Sequence, residues 1–367
     1  MKKMFRNIWL FMTASLLFTA CNKENDLTKS GEMLFLKHKG ASMPVLVRGN
    51  FDSDVILLIV HGGAGGSSAA HIEDFKSFIE PKYMVAYWDQ RHAGASQGNF
   101  NKEDLTIDLM AEDMLLVIRM LKHKYGFNKK VFAFGHSWGV QLSTYYLINQ
   151  PNELQGIILS NGAHSSEHEY SAKLDYVKNY ATEMINKGIP IPKTIKTQGL
   201  TFENLQQVVD WCNASDPIED YNELTILYDL VPAVKGYVDE TYVQSPDIPS
   251  QISDSELWFQ SPYNPITALI NLNRTHNLIN NFENQTSIQE FYDFTPGMHK
   301  ITLPVALYWG RYDDIIGPEV AQDYYQVIST PTEKKELIFF EKSNHSPQYT
   351  ENVWFSQKVI GFIEEFK

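Results

Sequence analysis

The spacing of apolar residues changes along the chain, and each change marks an element. Between Glu32 and Arg48 two short stretches alternate apolar and polar residues, which predicts a leading hairpin. Val55–Val60 is an unbroken aliphatic run rich in branched side chains, which suits a strand covered on both faces. The segment Ser67–Ile79 then reads as a helix and Tyr83–Trp88 as a strand. Thr106 can cap a helix running to Tyr125, where Leu109, Met110, Asp113, Met114, Val117 and Leu121 recur at three and four. Lys130–Phe134, Val140–Gln150 and Gly156–Ser160 continue as strand, helix and strand. Strands alternating with helices specify an α/β fold, a mostly parallel sheet with helices on both faces.

The alternation stops near Asn161. Residues 163–299 are richer in Tyr, Asn, Glu and Gln, with helix-like segments at 170–187, 203–213, 218–230 and 253–280 separated by prolines. A helical cap inserted into the sheet domain is therefore expected at 163–299, with the core formed by 33–162 and 300–367. Beyond the cap the alternation returns: strands at Pro304–Trp309 and Lys335–Phe340, then a closing helix from Asn352 to Phe366.

The N-terminus has a different character. Lys2, Lys3 and Arg6 precede the apolar stretch Ile8–Phe18, and Thr19 and Ala20 lead into Cys21. This resembles a bacterial lipoprotein signal over residues 1–21, with Phe18 where leucine is usual; the alternative is an ordinary secretory signal with a coincidental cysteine. The resemblance implies a lipidated Cys21, a polar tether over 22–32 and a protein held at the cell envelope, touching membrane only through its anchor. Cys212 would then be the sole thiol left, so no intramolecular disulfide is expected. Roughly 345 residues would remain, more than one core usually supports, in keeping with a main domain plus a subdomain. A net charge of −13 argues against nucleic acid as a partner, since phosphates would be repelled.

The chemistry centres on Gly135–Gly139, which reads Gly-His-Ser-Trp-Gly between a strand and a helix. A serine at such a turn is a nucleophile elbow: the flanking glycines relieve crowding and Ser137 is lifted out of the sheet. Serine needs a base to take its proton and an acid to orient that base, and on this architecture the order is Ser, Asp or Glu, His. The strand ending at Trp309 runs into Gly310–Asp314, and Gly-x-x-Asp spacing favours Asp313 over Asp314 as the acid. The other aspartate is expected to face solvent or cap the helix starting near Pro318. His345 follows the last strand and is the expected base. An oxyanion would be held by the backbone N–H of Trp138 and by one from the glycine loop His61–Gly66, for which Gly63 is chosen. His61 itself is expected to do structural work at the strand end.

Taken together, His61-Gly-Gly-Ala-Gly, Asp89-Gln-Arg with Gly94 and Ser96, Gly135-His-Ser-Trp-Gly, Gly310-Arg-Tyr-Asp and Asn344-His-Ser resemble the successive motifs of the proline iminopeptidase family. The likeness spans about residues 40–162 and 300–366. It implies an α/β-hydrolase fold with a helical cap and a serine hydrolase that forms an acyl-enzyme while releasing N-terminal residues from peptides. Ala64, His92 and Asn344 stand where that family usually has proline, glycine and glycine; all three lie on the expected rim and bear on specificity. Recognition of a free α-amine would fall to cap carboxylates, and Glu167, Glu169, Glu203, Glu219 and Glu223 remain open. A carboxylesterase or other small-molecule hydrolase with the same triad is the alternative, and a non-catalytic binding lipoprotein a third. The expected partner is a small peptide or small acyl compound. No metal or organic cofactor is implied.

Overall fold

All six residues of the run Val55–Val60 are buried. Ile56, Leu58 and Val60 join one apolar cluster with Met110, Met114 and Ile118; Val55, Leu57 and Ile59 join another with Phe75, Phe355 and Phe362. A strand whose faces meet two apolar layers lies inside a three-layer sandwich, which explains its lack of polar alternation. The structure is a computed structural model and describes residues 31–98, 101–191, 193–218, 221–234, 270–271 and 292–367. Cys21, the expected signal and nearly all of the tether lie outside the described residues.

The main sheet contains β1 (Glu32–His38), β2 (Ala41–Gly49), β3 (Val55–Val60), β4 (Met84–Trp88), β5 (Gln97–Gly98), β6 (Lys130–His136), β7 (Gly156–Ser160), β10 (Val305–Gly310) and β11 (Lys335–Phe340). Its order is β1-β2-β4-β3-β6-β7-β10-β11, with β5 on β2. From β4 to β11 every pairing is parallel, while β2 runs antiparallel to both β1 and β4. This is the α/β-hydrolase arrangement expected from the sequence. Parallel strands carry all their C-terminal ends to one rim, and β7 pairs with β10 although the whole cap separates them in sequence.

The flanking helices are α1 (Ile72–Phe75), α2 (Ile107–Tyr125), α3 (Trp138–Asn149), α7 (Pro318–Val327), α8 (Pro347–Thr350) and α9 (Asn352–Phe366). Thr106 caps α2 as expected, its hydroxyl accepting the Leu109 N–H at 3.3 Å, a contact worth about 1 kcal/mol. Asp113 lies on the buried face of α2 because Arg91 gives it two hydrogen bonds, at 2.6 and 2.9 Å, and His38 Nδ1 lies 2.7 Å away. The helix expected over Ser67–Ile79 is shorter: a 3₁₀ turn at Ser68–His71 leads into α1. There the Asp89 carboxylate takes both serine hydroxyls and the Ser68 N–H, drawing the segment inward.

In the inserted region α4 (Ser166–Asn186), α5 (Leu205–Ala214) and α6 (Tyr221–Val234) surround a separate core that includes Leu174, Val177, Val208, Cys212, Leu227 and Leu230. The cap is not wholly helical. A small antiparallel pair, β8 (Ile195–Thr197) and β9 (Leu200–Phe202), turns through Gln198 and Gly199, both at positive φ. Of the helix expected over 253–280, only Ile270 and Asn271 fall among the described residues, and both are helical.

Candidate active site

Strand β6 passes into α3 through Ser137, whose φ of 55° and ψ of −121° lie outside the regions favoured by L-residues. Such backbone costs on the order of 1–3 kcal/mol and persists only where its surroundings enforce it. Two hydrogen bonds do so: Ser137 N–H donates to Ser160 O at 3.0 Å, and Val140 N–H to Ser137 O at 2.8 Å. The flanking glycines act as expected. A Cβ on Gly139 would lie 2.0 Å from Val60 O, and one on Gly135 2.8 Å from Gly139 O. A third glycine escaped the sequence reading: a Cβ on Gly162, just past β7, would sit 2.3 Å from Ser137 O. Helix α3 begins at Trp138, not Val140, which places Ser137 immediately before its first turn.

Asp313 follows β10 and His345 follows β11, and the two meet. His345 Nδ1 lies 3.0 and 3.1 Å from the two carboxylate oxygens. Because carboxylate oxygens accept, Nδ1 carries the proton and Nε2 is left as the basic nitrogen. The Asp313 side chain is fully buried; Oδ1 accepts the N–H groups of Ile315 and Ile316, and Oδ2 accepts Asn161 Nδ2–H at 2.7 Å. Asn161, at the end of β7 with φ of 56°, was not singled out from sequence. Its position at the C-terminal end of the neighbouring strand was the available signal.

The loop carrying His345 is tied to the strand that leads into Ser137. His136 Nε2–H donates to the His345 carbonyl at 2.7 Å, and the two rings lie 5.0 Å apart. Burial holds the His136 imidazole well below its usual pKa, so it stays neutral with its proton on Nε2. On the other side, a Cβ on Gly62 would be 3.0 Å from the Ser137 Cβ, so the loop containing Gly63 lies against the serine. His61 is structural, donating through Nδ1 to Gly62 O and accepting the Gln90 N–H at Nε2, with burial pushing its pKa down to about 4. Gln90 completes this frame: Nε2–H donates to His61 O and Oε1 accepts the Trp138 indole N–H, each at 2.9 Å. Asn271 reaches down from the inserted region to the Gly94 and Ser96 carbonyls, at 2.8 and 2.9 Å.

Asp314 does not face solvent and does not cap α7. It is buried, and the cap of that helix is Gly317, which offers no side chain. Lys173 of α4, itself buried, is a cation whose charge acts on Glu169, Asp313 and Asp314. Its Nζ sits 3.8 Å above the Tyr228 ring. His92 is also buried, at φ of 59°, a left-handed position that accounts for glycine being usual there. Among the cap carboxylates Glu167 and Glu203 are exposed, and Glu219 lies outside the described residues. Glu169 is half-buried, accepts from Tyr292 at 3.1 Å and from Tyr228 at 3.5 Å, and burial raises its pKa while Lys173 and His345 act against that rise.

A strained serine, a histidine locked by a buried carboxylate and a glycine loop meeting at one rim define a serine hydrolase of the α/β-hydrolase fold. The family model for serine aminopeptidase S33 matches residues 52–242, more than half of the chain, and the protein belongs to that family. The chain is similar to "Probable aminopeptidase YbaC" of Bacillus subtilis, 21% identical over 86% of this chain and 91% of that one. It is also similar to a proline iminopeptidase of Saccharolobus solfataricus, 24% identical over 84% of each. The crystal structure of a Mycobacterium smegmatis proline iminopeptidase superposes with a TM-score of 0.59 at 15% identity, covering 91% of this chain and 98% of that one.

Proposed function

We propose that the protein is an aminopeptidase that releases N-terminal residues from small peptides through an acyl-enzyme, and that export as a lipoprotein on Cys21 holds it at the cell envelope. The observation that carries the mechanism is the buried Asp313 gripping His345 Nδ1, in a loop that His136 fastens beside Ser137. Ser137 Oγ attacks the scissile carbonyl as His345 Nε2 takes its proton. The oxyanion is held by the N–H groups of Trp138 and Gly63. His345 then gives the proton to the departing amine, and water, deprotonated by the same nitrogen, hydrolyses the ester to free acid and Ser137. Glu169 is the cap carboxylate whose charge reaches His345, and it is assigned to the substrate's α-ammonium group.

The test is labelling by a serine-directed fluorophosphonate, which Ser137→Ala should abolish; a folded wild-type protein that resists labelling would defeat the enzyme reading. Prolyl, alanyl and leucyl chromogenic amides assayed beside short-chain esters then separate the activities. Turnover of esters alone would replace the aminopeptidase with the esterase. Glu169→Gln should raise KM for free-amine amides and leave ester KM unchanged. Cys21→Ala should move the protein from the membrane fraction to the soluble one.

A further inference from the structure

A few residues beyond Asn161, three ligand-type side chains converge. His164 lies in the loop after β7, His168 in the first turn of α4, and Asp323 on α7. His164 Nε2 is 2.8 Å and His168 Nδ1 3.0 Å from the same oxygen, Asp323 Oδ2, and the two nitrogens are 3.3 Å apart. Two ring nitrogens from different turns of the chain thus crowd one carboxylate oxygen and each other. Donor atoms bound to one ion about 2.1 Å away sit about 3.0–3.4 Å from one another, near the edges of this triangle. The His164 side chain is fully buried, while His168 and Asp323 are partly exposed, which leaves the cluster open to solvent on one side.

We propose that His164, His168 and Asp323 bind one divalent transition metal, zinc by the match of two borderline imidazole nitrogens and one carboxylate oxygen to its usual ligands, with water completing the shell. The ion would work as a clasp. It joins the first turn of cap helix α4 to core helix α7, a few residues from the asparagine that holds Asp313. No short motif reveals the site, because Asp323 lies beyond the cap insertion from the two histidines.

Zinc chloride titrated calorimetrically into EDTA-stripped, tag-free protein, with bound metal counted by mass spectrometry, tests the proposal. One zinc per chain is expected, with melting raised by several degrees at saturation. His168→Ala and Asp323→Ala should each weaken binding at least about tenfold and remove that rise. His299→Ala, an exposed histidine elsewhere, should change neither. Both test positions are partly exposed, so the variants should melt like wild type in EDTA. Failure to bind zinc, or binding untouched by both substitutions, would reduce the cluster to an ordinary histidine–aspartate ion pair and overturn the proposal.

Discussion

Asn161 offers a clean separation of hydrogen bonding from backbone strain at Asp313, the proposed catalytic acid. Its amide is one of four groups on the Asp313 carboxylate, beside the N–H groups of Ile315 and Ile316 and the His345 ring. A hydrogen bond to a charged, buried group contributes about 1.5–3 kcal/mol. At about 1.4 kcal/mol per tenfold change, full expression of that loss in the transition state would slow the reaction roughly 10- to 150-fold. The two N–H groups still hold Oδ1, so the lower end is expected, mostly in kcat. The residue sits at φ of 56°, so Asn161→Gly removes the amide while keeping a conformation glycine adopts freely. Asn161→Ala removes the same amide and adds left-handed strain of about 1–2 kcal/mol. Both variants should therefore lose similar activity, while the alanine variant melts lower than the glycine one. Turnover of fluorogenic substrate and a thermal melt give both numbers. Wild-type turnover by Asn161→Gly would refute the claim that this amide holds the acid in place.

Gly139→Ala should prevent accumulation of folded protein, since its Cβ would lie 2.0 Å from a backbone oxygen of β3; soluble protein with a native melt would contradict the packing at the elbow. Gln90→Leu leaves the buried Trp138 indole N–H and the His61 carbonyl unpaired, at about 1–3 kcal/mol each, so both melting temperature and turnover should fall; unchanged values would show the frame is dispensable. Stability should also fall as pH drops from 6.5 towards 4. Burial holds His61 and His92 down to about 4 and His136 well below its usual pKa, so the folded chain refuses protons that the unfolded chain binds. Each histidine contributes up to about 1.4 kcal/mol per pH unit in that window, while Asp89, held up at about 6 by burial, works in the opposite sense. A urea midpoint that stays flat between pH 7 and 5 would refute this.

The strands and the rim residues Ser137, Asp313 and His345 were readable because each rests on a local pattern: an apolar run, a tight turn, a fixed chain order. The groups that hold them were not. Asn161, Gly162 and Lys173 matter through contacts made across the sheet or from the cap, and no short-range spacing distinguishes them from ordinary loop and helix residues. Asp314 shows the same gap. Its surroundings suggested a solvated or capping role, whereas it is buried within the electrostatic reach of Lys173 on α4. The β8–β9 hairpin was missed for a different reason: its strands are three residues each, too short for alternation to register.

The pairing of β7 directly with β10 means that the chain leaves the sheet and re-enters it at adjacent positions. A graft bounded by two neighbouring strands can be lengthened, shortened or exchanged while the scaffold on either side keeps its register. The sheet that carries Ser137, Asp313 and His345 and the segment inserted between its neighbouring strands are thus free to evolve at different speeds, as a tool holder outlasts its bits.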